Sequence, residues 1–167
     1  MVETDICLSY DKTVNNINMQ KGIMFMQNDL SRFHKAQETD YKIALREIQN
    51  GRKRSHWMWY IFPQLKGLGH SGMAEYYGIS GIEEAKAYLK DPVLGARLLE
   101  ISKALLKIEC DDPRIVMGYP DNLKLKSCMT LFAEADPETD IFQSVLNKFF
   151  NGEKDTLTLS LLEREEK

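Results

Sequence analysis

Residues that could do chemistry are concentrated in one stretch of the chain, from Arg52 to Ser71. This stretch holds both tryptophans and two of the three histidines, and no Asp or Glu interrupts it. Histidine titrates near neutral pH and can act as a general acid or base, while aromatic rings can stack on a planar ligand. The composition of this stretch therefore predicts a ligand site.

The aromatic part of the stretch has a structural alternative, because an aromatic-rich helix is more often part of a core. On a helix, His56, Trp59 and Tyr60 would share one face. Trp57 and Ile61 would share another. We therefore expect the two tryptophans to differ in exposure, and His56 to be either an acid–base group or a structural hydrogen-bonding group.

The glycine-rich segment after the aromatic residues could hold an anion, because the backbone amides of such a loop can bind phosphate. It lacks the spacing of known nucleotide-binding loops, so an ordinary turn is the alternative. The triple-basic run before His56 could attract an anion as well, or could be a solvated helix end. The candidate ligand-binding residues are Lys53, Trp57, Trp59, Gln64, Lys66, Gly67, Gly69, His70 and Ser71.

A second candidate group lies on the helix predicted after Asp121. Lys124 and Ser127 are one turn apart, and a lysine with a lowered pKa can activate a neighbouring hydroxyl. A surface ion pair is the alternative role for Lys124. The candidate catalytic residues are His56, Ser127 and Lys124, and we expect this helix to return to the Trp57 segment and bring them together.

Several classes of site and location are disfavoured. The three histidines have no metal-ligand spacing, and no cofactor motif is present. The three cysteines form no C-x-x-C pair, and an odd number cannot be fully paired within one chain, which favours the reducing cytoplasm. No apolar run approaches the roughly 18 residues of a membrane span. A formal charge of −3 does not favour nucleic acid as a partner.

Helical periodicity dominates the rest of the chain and predicts an all-α fold. We expect a compact single domain of seven to nine short helices with no substantial sheet. Residues 29–162 form this domain, after a weakly structured extension (1–28) and before an acidic tail (163–167). The domain should fold without the residues before Met26.

Helix starts are predicted from capping signals. They predict a short helix after Asp29, a second through Tyr41–Ile48 and a buried helix over Ser55–Phe62, for which a core strand is the alternative. The remaining signals are a Ser80–Glu83 capping box, Asp91-Pro92, Asp112-Pro113, Asp121 and Asp136-Pro137.

A series of short blocks carries a family resemblance. In order, the blocks are Gly51-x-Lys53-x-Ser55-His56-Trp57-Met58-Trp59, Phe62-Pro63-Gln64, Gly67-Leu68-Gly69, Tyr77-Gly78-Ile79, Glu84-Ala85-x-x-Tyr88-Leu89, Pro92-Val93-Leu94-Gly95-x-Arg97-Leu98 and Lys124-Leu125-x-Ser127-x-Met129-Thr130-Leu131-Phe132. Together they resemble the uncharacterised bacterial family known as domain of unknown function 1810, from about residue 29 to residue 162. The resemblance implies a small, mostly helical cytosolic fold and no established activity. Two positions depart from the family pattern, His70 in place of a frequent Arg and Cys128 in place of a second serine.

Two functional classes fit these observations. One is an intracellular enzyme or sensor that binds a small anionic ligand, with nucleotides among the candidates. The other is a non-enzymatic helical interaction module with a basic docking face. A concave pocket that contains His56, Gln64 and Lys124 would favour the first class, and a flat basic surface would favour the second.

Overall fold

Residues 29–165 are described by the structure, which is a computed structural model. They form nine α-helices and no β-strand, which confirms the predicted all-α fold. Within this range no helix has both the length and the apolar character of a membrane span. The expected extension and the proposed start near Met26 lie outside the described residues. The helices are α1 Ser31–Gln49, α2 Met58–Ile61, α3 Gly72–Tyr77, α4 Ile82–Lys90, α5 Leu94–Lys107, α6 Pro113–Met117, α7 Asp121–Ala135, α8 Asp140–Phe150 and α9 Thr156–Glu165.

Helix α7 lies at the centre of the fold. Ten of its 15 residues are buried, as expected of a helix enclosed by others, and α4, α6, α8 and α9 all pack against it. The sequence placed Ser127 and Leu131 opposite or beside the apolar face, and both are buried as well. The residues at the N-terminus of α7 are therefore held in fixed positions.

Helix α1 is longer than the sequence predicted. The short helix predicted after Asp29 and the helix predicted through Tyr41–Ile48 form one continuous helix. No Gly or Pro interrupts the chain between Ser31 and Gln49, and the buried face is continuous. Gly51 follows the end of α1 with a φ of 75°, as predicted for a stop signal. The buried residues of α1 are Phe33, Gln37, Tyr41, Ala44 and Ile48.

The helix predicted over Ser55–Phe62 is wrong in length, since only the four residues of α2 are helical. The amides of Arg54 and Ser55 donate to the Glu47 carboxylate, at 2.8 Å and 3.0 Å. Because this carboxylate belongs to α1, the segment is held against α1 as an irregular turn before α2 begins.

Two of the three Asp-Pro signals start helices as predicted. The Asp91 carboxylate accepts hydrogen bonds from the amides of Val93 and Leu94, both at 2.9 Å, where α5 begins. Asp112 caps α6 by accepting a hydrogen bond from the Arg114 amide at 2.8 Å. The third Asp-Pro signal, Asp136-Pro137, lies in a turn, and α8 begins only at Asp140.

The predicted Ser80–Glu83 capping box is wrong. Helix α4 begins at Ile82, and the Ser80 amide and hydroxyl both donate to Glu84, at 2.6 Å and 2.8 Å. Glu83 pairs instead with Lys86 at 2.8 Å. Glu84 is the better acceptor because it is buried, whereas Glu83 faces solvent.

The C-terminal helix supplies the missing cap of α4. The Glu165 carboxylate accepts a hydrogen bond from the Ile82 amide; burial raises the pKa of Glu165, and the hydrogen bond opposes this shift without cancelling it. A Cβ on Gly81 would lie 2.4 Å from Glu165 Oε2, so a larger residue there would displace this carboxylate. Residues 163–165, expected in the acidic tail, are therefore helical.

We expect Leu98→Ala and Phe142→Ala each to lower the free energy of unfolding by about 2–5 kcal/mol, because each leaves a cavity in the core. Leu98 is 1% exposed and Phe142 is fully buried. Denaturant unfolding at pH 7 measures both losses. A loss below about 1 kcal/mol for either variant would contradict the packing described here.

Candidate functional site

The Glu47 carboxylate organises the segment that leads into the tryptophans. It accepts hydrogen bonds from the Arg54 amide, from the Ser55 amide and hydroxyl, and from the Trp57 indole at 2.8 Å. Burial alone would raise the pKa of Glu47, but these donors stabilise the charged form and lower the pKa to about 2. One side chain of α1 therefore determines where the candidate site begins.

Trp57 is part of the core. It is 1% exposed, its ring packs on Phe62, and the Lys53 ammonium lies 4.9 Å from its centroid. No ring surface is left for a ligand, so the stacking role predicted for Trp57 is wrong. Trp59 is only partly buried, and the predicted difference between the two tryptophans is confirmed.

Lys53 is also structural. Its side chain is only 7% exposed, and its ammonium lies 2.8 Å from the Asp121 carboxylate and 2.5 Å from the Ser55 carbonyl. Burial of Asp121 acts to raise its pKa, but Lys53 and Lys124 more than compensate and hold it below its ordinary value. Asp121, predicted as a helix cap, instead ties the basic segment to α7.

Lys124 reaches the segment that carries the tryptophans. Its ammonium lies 3.0 Å from Asp121 and 4.8 Å from the centre of the Trp59 ring, a cation–π contact. With Trp59, Gln64 and Gly78, Lys124 lines a hollow of about 10 Å³, room for roughly one water molecule. The other residues around the hollow are Met58, Phe62, Ala74 and Tyr77.

The other two candidate catalytic residues do not line this hollow. The Ser127 hydroxyl lies 3.1 Å from both the Leu123 carbonyl and the Asp155 carboxylate, which also holds the amide of Thr158 at the start of α9. His56 is exposed, and its ring makes no hydrogen bond within residues 29–165. Neither residue pairs with Lys124 in that range.

The glycine-rich segment forms an exposed turn beside the hollow. The side chain of Lys66 is 53% exposed and 3.8 Å from Glu75, and His70 is exposed too. The Ser71 hydroxyl caps α3 by accepting a hydrogen bond from the Ala74 amide. A Cβ built on Gly69 would lie 3.6 Å from the amide nitrogen of Gln64, which places this turn at the edge of the hollow.

The sequence pattern of the family described as "Protein of unknown function (DUF1810)" matches residues 27–162. The chain belongs to this family. A solved structure entitled "Crystal structure of the conserved hypothetical protein Rv1873 from Mycobacterium tuberculosis" has a TM-score of 0.80 to this chain and shares 45% sequence identity. The similarity covers 81% of this chain and 97% of that one. No curated protein matches the chain.

Two larger cavities of this DUF1810 protein contain mainly residues that the sequence did not single out, although the first also includes Lys66. A cleft of about 430 Å³ lies on the other side of α3 and contains Arg32, Lys66, Tyr76 and Glu84. A groove of about 930 Å³ lies between α1 and α5. For the cleft, the sequence did contain a signal. The Tyr77-Gly78 block of the family resemblance directly follows Tyr76, which lines the cleft. No signal marked the second, because its residues come from two separate helices.

No group of three or more potential metal ligands occurs among the residues that the structure describes. The ionic groups that sequence reasoning missed are Glu47 and Asp121. A signal for Glu47 existed, because an acidic residue at the end of an amphipathic helix directly precedes a basic run with no acid of its own. Asp121 could be placed only by the tertiary structure.

We expect the stability of the wild-type protein to fall as the pH drops from about 4.5 towards about 2 through protonation of Glu47. The reason is that its folded pKa of about 2 lies below the ordinary value of 4.5. Glu47→Gln should be less stable at pH 7 and should lack this part of the acid dependence. Urea unfolding across this pH range measures both effects.

Glu138→Gln is the matched control, because Glu138 is exposed and makes no hydrogen bond within the described range. It should retain the acid dependence of the wild type. If Glu47→Gln shows the same acid dependence as this control, the role assigned to the Glu47 carboxylate is wrong.

Proposed function

We propose that this protein binds a small anionic ligand at the hollow formed by Trp59, Gln64 and Lys124. The observation that carries the proposal is the position of the Lys124 ammonium over the Trp59 ring, in the hollow that Gln64 also lines. A cation, an amide and a partly exposed indole are suited to a phosphate or carboxylate attached to a planar group. Nucleotides are candidates for this class.

The electrostatics of the hollow favour an anion. Lys53 and Lys124 share the Asp121 carboxylate, so these three side chains carry a net charge of +1. The Glu47 carboxylate is engaged by donors from Arg54, Ser55 and Trp57. Lys53 is buried, whereas 24% of the Lys124 side chain remains accessible. An anion that approaches the cluster therefore meets Lys124 first.

The dimensions of the hollow suit one oxygen atom of such a ligand. A volume of about 10 Å³ accommodates one water-sized group. In the proposal, one ligand oxygen occupies the hollow and the remainder lies over the exposed turn that contains Lys66 and His70. Binding, as in a sensor, is favoured over catalysis because the Ser127 hydroxyl is held by the Leu123 carbonyl and Asp155 and does not line the hollow.

A thermal-shift screen with AMP, ADP, pyrophosphate, inorganic phosphate and citrate tests this proposal. A ligand of the native state stabilises the fold by about 2.7 kcal/mol at about 100 times its Kd. We expect at least one of these anions to raise the Tm of the wild type by several degrees. Lys124→Met should lose most of this shift, because it removes the charge and keeps the aliphatic stem.

Lys103→Met is the matched control, because Lys103 is an exposed lysine on α5 that lines a different groove. It should respond to the anions as the wild type does. The proposal is wrong if no anion raises the Tm, or if Lys124→Met and Lys103→Met respond equally.

We also propose that the protein works in the reducing cytoplasm. Of the three cysteines, the two in the described range, Cys110 and Cys128, are free thiols. Burial raises the pKa of the Cys128 thiol well above its ordinary value and makes it unreactive. Both observations are consistent with a protein that does not depend on disulfides.

A specific observation supports docking of an acidic partner as a second candidate function. Arg52 and Arg54 are exposed on either side of the buried Lys53, whose amide donates to the Val116 carbonyl of α6 at 2.7 Å. Beyond α6, Tyr119 is 80% exposed. Basic side chains near an exposed aromatic ring are typical of a surface that recognises an acidic, partly apolar segment.

A fluorescent glutamate-rich peptide that contains a Leu residue tests this second candidate by anisotropy. We expect binding that weakens with salt and is lost in the double variant Arg52→Glu, Arg54→Glu. Lys103→Glu, Lys107→Glu applies the same change of charge on α5 and should bind as the wild type does. Equal binding by both double variants would contradict the docking role.

A further inference from the structure

Helix α3 separates the hollow of the candidate site from a larger cleft. Ala74 and Tyr77 line the hollow, whereas Glu75 and Tyr76 line the cleft of about 430 Å³. Residues three apart on a helix share a face, and adjacent residues do not. The hollow and the cleft therefore lie on opposite sides of α3, and Gly78 lines both.

The attachment of α3 to the rest of the fold is weak. None of its six residues is buried, and a helix of this length is not stable by itself. Its main anchor is the Tyr77 ring, which lies 5.1 Å from the Tyr60 ring and 5.9 Å from the Phe33 ring. The other end is free of such contacts, since Gly72 and Met73 are exposed.

The base of the segment that carries α3 is fixed. The Lys66 amide donates to the Ile79 carbonyl at 2.8 Å, and the Ile79 amide donates to the Gln64 carbonyl at 3.0 Å. Gly67, with a φ of 94°, and Gly78 lie just inside this base. A Cβ on Gly78 would be 2.9 Å from the Lys66 Cα, so the two ends meet as closely as backbone allows.

We propose that α3 is a lid over the candidate site. When its free end swings outward about Tyr77 and Gly78, the hollow joins the cleft, whose volume with α3 in place is about 430 Å³. This volume lies in the range of about 300–1,000 Å³ that is typical of small-molecule sites. The closed hollow cannot hold a nucleotide, whereas the opened cavity can.

The opened cavity defines the class of ligand more closely than the hollow does. Lys124 and Trp59 lie on one side of it, and Arg32 and Lys66 lie on the other, while Tyr76 moves with α3. Arg32 and Lys66 pair with Glu84 and Glu75, at 2.6 Å and 3.8 Å. Lys124 is therefore the cation available to an anionic group, and Trp59 is the ring available to a planar one. The ligand class rests on the function proposed above, but the lid motion does not.

Two adjacent substitutions should move the lid in opposite directions. Ser71→Ala removes the cap that accepts a hydrogen bond from the Ala74 amide, and this destabilises α3. Gly72→Ala stabilises α3, because no atom lies within 4 Å of the added Cβ and the residue is already helical. A Gly-to-Ala change at such a position shifts the equilibrium towards the ordered form of the helix, here the closed form of α3, by about two- to fivefold.

Hydrogen exchange and acrylamide quenching of tryptophan fluorescence measure the motion without any ligand. Because Trp57 is buried, the quenching reports mainly on Trp59. Ser71→Ala should speed exchange of the α3 amides severalfold and increase quenching. Gly72→Ala should slow exchange by about two- to fivefold and decrease quenching. The amides of α7 should be unchanged in both variants.

Unchanged quenching in both variants would overturn the lid, because α3 would then not cover Trp59. With AMP as the probe, Gly72→Ala should weaken binding by about two- to fivefold, since the open form encloses the whole ligand whereas the closed form holds only one of its oxygens. Equal AMP affinity in Gly72→Ala and wild type would also overturn it. If the wild type binds no AMP, a nucleotide ligand is excluded, and the quenching alone decides whether α3 is a lid.

Discussion

The hydrogen bonds that converge on the Glu47 carboxylate are the interaction on which the candidate site depends. A carboxylate that accepts several donors stays charged and holds each donor in a defined direction. Here the donors come from Arg54, Ser55 and Trp57, which follow the end of α1 within ten residues. The turn they form directs Trp57 into the core and leads into α2, in which Trp59 is the residue that is not fully buried.

The Asp121 ion pairs complete this arrangement from the side of α7. A buried charge is costly unless a partner compensates it, and Lys53 meets this condition through Asp121, the Ser55 carbonyl and the Trp57 ring. Once Asp121 is fixed in this way, it positions Lys124 over Trp59. A structural ion pair and the candidate binding cation thus share one carboxylate, so the site is rigid on this side. Helix α3, on the opposite side of the hollow, has no buried residue, so the motion proposed for the site is confined to this helix.

Much of the fold was predictable because local physics decides it. The stripe of α5 buries Leu98 and Ile101 as their spacing requires, and Asp91 and Asp112 start helices with the carboxylate caps that their position predicts. Where the predicted helix starts were wrong, the backbone amides bond to a side chain distant in sequence instead of a neighbouring one. Glu47 draws the amides after α1 out of helical geometry, and Glu165 of α9 supplies the cap that Ser80 was expected to provide.

The sequence by itself determined the helical class, the family and the segment that contains the candidate site, because periodicity, capping residues and short ordered blocks are all local properties of the chain. It also predicted that the helix after Asp121 would bring Lys124 and Ser127 beside His56, and of these only Lys124 reaches the hollow. The tertiary structure alone decided that Trp57 is core while Trp59 is not, that Ser127 bonds Asp155 rather than Lys124, and that α3 separates two cavities. The physical reason is that burial and ion pairing depend on which helices meet, and those contacts join residues that are dozens of positions apart.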